Sequence, residues 1–286
     1  MGMGSRVPVD DFSVMTGLSR DELRQYRDLG ILDPWHTDAH TGYRLYDTTQ
    51  VHLAHTIRRL RAGGMAIADL KSLLCADDLN WRNTHIAAQQ SDVWSALGPV
   101  KPTRARVHIS LRREAPMSAW AVTATVAKPD LAEWVTESLQ VLSKACHALG
   151  VRTAGPCAAL LERELFTQQV GQVRFLMPVG DAPPPPEGIN SYTLPPIDVA
   201  VVVHRGRRDG IDRSYGVLGA YVSDRLEGDE GPIREYYLDG AAAIGSGRTE
   251  ICWPIFDTAA QCAVAPPSRT SSRAGGGELG SVACGC

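Results

Sequence analysis

The chain has 286 residues, a formal net charge of −3, 44% hydrophobic and 21% charged residues, values that suit a globular protein of two domains better than one. No apolar run reaches the ~20 residues of a membrane-spanning helix, and Met1 to Val9 lacks a signal-peptide core; no membrane partner is expected, and a cytoplasmic location is. Seven cysteines, an odd number scattered along the chain, argue for free thiols in a reducing compartment.

In chain order, the first informative stretch runs from Ser13 to Leu74. Ser13-Val14-Met15-Thr16-Gly17-Leu18-Ser19 places a glycine where a helix-turn-helix needs its tight turn. Ser19-Arg20-Asp21-Glu22 is a capping box that starts a short helix. Leu23, Tyr26 and Leu29 share its inner face, Arg20, Arg24 and Arg27 lie largely on the other, and Gly30 stops it. Entry into a DNA major groove requires a helix of this kind. A polar loop from Trp35 to Thr41 leads into Gly42-Tyr43-Arg44-Leu45-Tyr46, a β-hairpin wing with Arg44 placed to meet a phosphate. Asp47-Thr48-Thr49-Gln50 then caps a longer helix with Val51, Ala54, Ile57 and Leu60 at helical spacing. Arg58, Arg59 and Arg61 crowd its end, and Ile67, Leu70, Leu73 and Leu74 line one more short helix.

The run L-R-Q-Y-R-D-L-G-I-L-D-P, then G-Y-R-L-Y, then I-R-R-L-R-A-G-G-M resembles the DNA-binding domain of the MerR family of bacterial transcription regulators, over roughly residues 7–75. The resemblance implies a homodimer on a palindromic promoter element with an unusually long spacer. Bending and untwisting that double-stranded DNA lets RNA polymerase engage, so the polymerase is an indirect partner. Carried over by position, Arg24 falls on the arginine of the recognition helix and Tyr26 on its second tyrosine. Tyr43 and Arg44 fall on the wing pair, and Arg58 or Arg61 on the basic end of the third helix. Gln25 stands where the family has a first tyrosine and Arg27 where it has an acid, which leaves operator preference open. Residues 1–75 hold nine Lys/Arg against nine Asp/Glu, so any basic face must come from arrangement rather than composition. The resemblance also implies an antiparallel dimerisation helix, for which Asp77 to Leu97 is the candidate, with Leu79, Ile86, Val93 and Leu97 at roughly heptad spacing.

The second informative feature is an internal repeat. Gly155-Pro156 and Pro178 recur as Gly231-Pro232 and Pro254 at a shift of 76, and the same shift carries Val126 to Val202 and Leu142 to Leu218. Each unit reads strand, helix, strand, strand, with Pro183 to Pro186 as a stiff linker between the units. Two β-α-β-β units side by side make an antiparallel sheet with helices on one face and a groove between the halves. This resembles the GyrI-like effector-binding domain over about residues 106–257, most strongly in Val202-Val203-His204-Arg205-Gly206, Gly231 to Leu238 and Thr249 to Ile255. In drug-binding relatives the glutamate at the position of Glu250 lies in an aromatic-lined pocket and pairs with a cationic, lipophilic compound. Cys252, two residues on, is expected on the same strand face; Tyr237, Tyr236, Trp120 and Trp253 are candidate walls, and Tyr215 in the second unit's helix is expected to face the groove. Arg174 is the repeat counterpart of Glu250. It either shares that pocket or pairs with Glu250 across the pseudo-twofold.

The expected fold class is α+β. A winged helix-turn-helix spans 1–75, a short dimerisation helix and linker 76–105, and the duplicated domain 106–258 with repeats at about 118–180 and 196–256. A Pro-, Ser- and Gly-rich tail over 259–286 reads as disordered. Catalytic patterns (G-x-S-x-G, H-E-x-x-H, Walker, Rossmann) do not occur, so no catalytic residue and no cofactor is expected. Cys75 and the pair Cys284, Cys286 raise a thiol or metal sensor as an alternative, but their spacing is poor for a metal site, and no metal ligand is assigned. The reading is therefore a ligand-responsive DNA-binding regulator that senses a small hydrophobic or cationic effector. A drug-sequestering binding protein is the alternative.

Overall fold

The computed structural model describes residues 4–75, 107–240 and 244–256. The expected dimerisation helix, the tail, Cys284 and Cys286 lie outside the described residues. Strand β1 (Arg6–Pro8) runs directly into α1 (Val9–Thr16). Gly17, at φ 74°, closes α1 by donating its N–H to the Ser13 carbonyl; a side chain there would be strained. The capping box of α2 (Arg20–Asp28) forms as expected. The Glu22 N–H donates to Ser19 Oγ at 3.1 Å, and the Ser19 N–H donates to Glu22 Oε2 at 2.7 Å. β2 (His36–Thr37) and β3 (Arg44–Asp47) build the wing, and β1 completes it as a three-stranded antiparallel sheet in the order β1-β3-β2. α3 (Val51–Ala62) follows a second capping box between Asp47 and Gln50, and α4 (Ile67–Cys75) follows Gly63-Gly64.

The remainder is one eight-stranded antiparallel sheet with two long helices. In chain order these are β4 (Ile109–Glu114), β5 (Met117–Ala127), α5 (Leu131–Ala148), β6 (Cys157–Leu161), the single turn α6 (Glu164–Thr167), β7 (Val170–Pro178), β8 (Asn190–Leu194), β9 (Ile197–Arg207), α7 (Ile211–Arg225), β10 (Ile233–Tyr237) and β11 (Ser246–Ile255). The sheet order is β4-β9-β11-β10-β6-β7-β5-β8. The two β-α-β-β units are β5-α5-β6-β7 and β9-α7-β10-β11, and the repeat shift is not uniform. It is 76 residues for the last two strands but 80 for the first strand and helix. Val126 therefore corresponds to Gly206 rather than Val202, as their cross-strand partners Gly171 and Gly247 show. Leu142 likewise corresponds to Val222 rather than Leu218. The cause is length: α7 has 15 residues where α5 has 18, and the loop after α7 is one residue shorter.

Connectivity forces the sheet to curl. β4 and β5 stand six strand positions apart in the sheet, which would separate them by ~29 Å if it were flat. Only Ala115 and Pro116 join them, a span of at most ~11 Å. The β8–β9 connection through Pro195 and Pro196 imposes the same closure at the same end. The inner face of the curl buries Ala121, Leu160, Leu176, Val199, Val201, Tyr236 and Cys252.

On the other face a single apolar core runs without a break from Val7 and Phe12 of the helix-turn-helix to Trp253 and Ile255 of the last strand. Its seam is α7, where two glycines face the amino-terminal module. A Cβ on Gly216 would fall 2.7 Å from His55 and 2.9 Å from Val51; one on Gly219 would fall 2.3 Å from Met15 and 3.0 Å from Trp253. Polar contacts ring the seam. Arg58 donates to Asp212 at 3.0 Å, Arg163 pairs with Asp11 and donates to the carbonyls of Asp229 and Glu230, and Lys128 Nζ donates to the Gly17 carbonyl at 2.9 Å. Burial, with Arg58 adding repulsion, pulls the Lys128 ammonium down to about 7.

Gly219→Leu is expected to lower the unfolding free energy by roughly 1–3 kcal/mol, because overpacking against Trp253 and Met15 exceeds the helix-propensity gain of about 1 kcal/mol. Gly180→Ala, where a Cβ meets open space, stays within about 0.5 kcal/mol. Urea titrations of the two variants measure the contrast.

Candidate functional site

Six of the eight residues expected at DNA lie on accessible surface or at its edge. Arg20 and Arg24 project from α2 into solvent and Arg27 is half-exposed. Among the described residues each pairs with an acid: Arg20 with Asp10, Arg24 with Asp21 at 2.9 Å and Arg27 with Asp28 at 2.6 Å. Exposed pairs of this kind hold by less than about 1 kcal/mol, so a phosphate can replace the acid. Tyr43 stands 50% exposed at the wing, and Arg44 beside it is half-buried with Nη1 unpartnered among the described residues. Arg61 is exposed and donates to the Met65 carbonyl.

The structure places the other two elsewhere. Tyr26 is 2% exposed within the module's core, because its position three residues after Leu23 puts it on the inner stripe of α2. Arg58 turns from the DNA side to Asp212 of α7, since α3 packs its end against that helix. Tyr26 cannot present its hydroxyl to a duplex in this conformation, whereas Arg58, its side chain 39% exposed, is held by Asp212.

The residues expected at one ligand site are divided between the two faces of the sheet. Glu250, Cys252 and Tyr236 face the inside of the curl, whereas Tyr237, Trp120 and Tyr215 belong to the helix-side core. Strand alternation makes this unavoidable, because Tyr236 and Tyr237 are consecutive and must point to opposite faces. Trp120, 1% exposed, packs in the core. Arg174 stands at the repeat position of Glu250 but on β7, with β10 and β6 between them. It donates to Thr123 and stacks on Tyr192, so neither a pair with Glu250 nor a shared pocket forms.

Inside the curl, the acids are already neutralised. Glu114, at the end of β4, accepts from Arg234 at 2.9 Å, Tyr236 at 2.6 Å and Arg112 at 3.0 Å, and Arg112 also donates to Glu250 at 2.7 Å. Arg234 reaches on to the Pro195 carbonyl at 3.1 Å. Two carboxylates and two guanidiniums thus clasp the strand ends where the sheet closes. Burial, reinforced by Glu114, raises both the Tyr236 hydroxyl and the Cys252 thiol above their ordinary values, which leaves both protonated and the thiol inert.

The helix-side face holds a different carboxylate. Glu235, 1% exposed on β10, accepts from Tyr215 at 2.7 Å, Tyr237 at 3.0 Å and Arg208 at 2.7 Å. Phe175 lies 5.9 Å from the Tyr237 ring and Phe166 5.4 Å from the Tyr215 ring, so the acid sits in an aromatic nest. Burial raises both tyrosines and the Glu235 charge adds to it, keeping them as donors. Tyr237 also borders an open groove of about 650 Å³ that Leu139, Ser143, Cys157 and Met177 help to line. Sequence reading named Tyr236 and Tyr237 but passed over Glu235, because Ile233-Arg234-Glu235-Tyr236-Tyr237 is buried throughout and shows no alternation. The available signal was the spacing of Glu235 and Tyr237, two residues apart and so on one face.

A winged helix-turn-helix fused through one core to a duplicated antiparallel sheet domain defines the architecture. Residues 7–76 match the family model described as MerR HTH family regulatory protein. That match covers the amino-terminal module alone. A comparison with curated proteins finds no match. Among solved structures the chain is similar to EcmrR in an EcmrR-DNA complex, at 21% identity over 87% of this chain and 99% of that one, with a TM-score of 0.47. It is similar also to the EcmrR C-terminal domain, at 22% identity over 52% of this chain and 98% of that one (TM-score 0.46). A third similar structure is SAV2435 bound to tetraphenylphosphonium, at 15% identity over 52% of this chain and 93% of that one (TM-score 0.39).

Glu114→Gln is expected to cost about 3 kcal/mol or more of stability, because it strands the buried Arg234 guanidinium. Glu250→Gln is expected to cost less than about 1 kcal/mol, because its partner Arg112 is 40% exposed and can turn to water. Denaturant midpoints of the two variants measure this contrast.

Proposed function

We propose that the chain is a ligand-responsive transcription regulator that binds and distorts promoter DNA as a homodimer, with RNA polymerase responding to the altered DNA. The observation that carries this reading is the continuity between its two halves. An arginine-bearing helix and a wing are joined, through α7, to a domain holding a buried carboxylate ringed by tyrosines beside a groove. α2 enters the major groove, with Arg20, Arg24 and Arg27 directed at bases and phosphates, while Tyr43 and Arg44 of the wing meet the backbone. The effector is a small hydrophobic molecule, favoured when cationic. A groove of about 650 Å³ is in the range of drug-sized sites, and a carboxylate among ring faces favours a soft, poorly hydrated cation. Glu235, rather than Glu250, is the acid that fits this role, because Tyr237 both donates to Glu235 and lines the groove, whereas Glu250 faces the inside of the curl.

Gel shifts with a fragment from upstream of the chain's own coding sequence test the DNA function. Arg44→Ala is expected to weaken binding on all sequences and to reduce the slope of log affinity against log salt by about one, as loss of a phosphate contact requires. An unchanged slope removes Arg44 from the interface. For the sensor, a thermal-shift screen of dyes and quaternary amines, with tetraphenylphosphonium included, is expected to yield a stabilising compound. Its effect should vanish in Glu235→Gln and survive in Glu250→Gln; the opposite pattern would return the role to Glu250.

A further inference from the structure

We infer that Arg208 is a tethered cation that occupies the Glu235 carboxylate in the resting protein, and that a cationic effector binds by displacing it. The inference rests on the sensor reading above and specifies how its site works. Arg208 donates to Glu235 Oε2 at 2.7 Å, and its guanidinium lies 5.8 Å from the centre of the Tyr237 ring. It thus already satisfies both features that would recruit a lipophilic cation, a buried carboxylate and an aromatic face. Exchange of this guanidinium for an incoming cation keeps the site neutral, so the acid is never left uncompensated.

Three observations make Arg208 displaceable. It is not part of the sheet or of a long helix but sits on the turn Arg208–Gly210. Gly210, the last residue of that turn, has no Cβ to restrict the backbone between β9 and α7. Its Nη1 is buried without an acceptor among the described residues, so the resting pair is imperfect and release lets that donor regain water. The other contacts of Glu235, from Tyr215 and Tyr237, stay in place when the guanidinium leaves.

The turn also connects to the DNA-binding module. Asp212, four residues after Arg208 in the first turn of α7, holds Arg58 of α3 at 3.0 Å, and Tyr215, three residues further, donates to Glu235. Withdrawal of Arg208 therefore loosens the turn that positions Asp212 and passes to α3 through one ion pair.

Calorimetric titration of the full chain with tetraphenylphosphonium and with neutral triphenylphosphine oxide tests the inference. Arg208→Met is expected to bind the cation roughly tenfold or more tightly than wild type, because its competitor is gone, while the oxide changes little. Arg208→Lys keeps a charge but loses the planar fork, so it folds with the pair weakened and gains a smaller factor. Unchanged or weaker cation binding in a folded variant overturns the inference while the sensor reading stands. Failure of wild type and both variants to bind either probe overturns both. Asp212→Asn is expected to leave the titration unchanged and to abolish the cation's effect on affinity for the upstream DNA fragment; an effect that persists removes the relay.

Discussion

Everything in this molecule is arranged around the absence of two β-carbons on α7. Gly216 and Gly219 let His55, Val51 and Met15 of the amino-terminal module approach the helix backbone closer than any side chain would permit. Domains within one chain usually meet across polar interfaces that allow relative motion. Here the close approach merges two apolar cores into one, so that Phe12 and Trp253 belong to the same cluster. The ion pairs Arg58–Asp212 and Arg163–Asp11 lie on the margin of that seam and give it a register. Ion pairs at such a margin contribute little energy by themselves; the apolar contact supplies the attachment.

The curled sheet then separates two acidic sites that a linear reading joins. Each face buries a carboxylate, and each carboxylate has a guanidinium. The pairs differ in what anchors the cation. Inside the curl, Arg234 and Arg112 come from strands locked in the sheet, and their network ties together ends that the chain connectivity forces to meet. On the helix side, Arg208 comes from the short turn between β9 and α7. A buried ion pair whose two members sit on rigid strands is a structural device. One whose cation can swing away leaves a charged pocket ready for another cation, and this distinction is physical rather than chemical.

α7 occupies the junction of these systems. Its first turn carries Asp212 toward the DNA-binding module and, three residues on, Tyr215 toward Glu235, so both contacts project from neighbouring positions on one short stretch of helix. A displacement too small to disturb the sheet is enough to alter one and then the other, because packed interiors transmit strain rather than absorb it.

Local signals in the sequence determined much of this. The glycine turn at Gly17, the capping box at Ser19 and Glu22 and the arginine face of α2 are interactions within a few residues, and such interactions are readable from spacing alone. The duplicated β-α-β-β plan was legible through its Gly-Pro and Pro punctuation, though the four-residue contraction around α7 was not, since a helix can shorten by a turn without losing its pattern. Tyr26 shows the limit of inference by position: its spacing from Leu23 already placed it in the core. Only tertiary structure decided which acid belongs to which face. The run Ile233 to Tyr237 is buried on both sides, so it has no alternation to read, and the partners of Glu235 and Glu250 come from turns and strands far away in the chain. Charge pairing across such distances depends on how the sheet curls and where α7 lies, and no local rule encodes either.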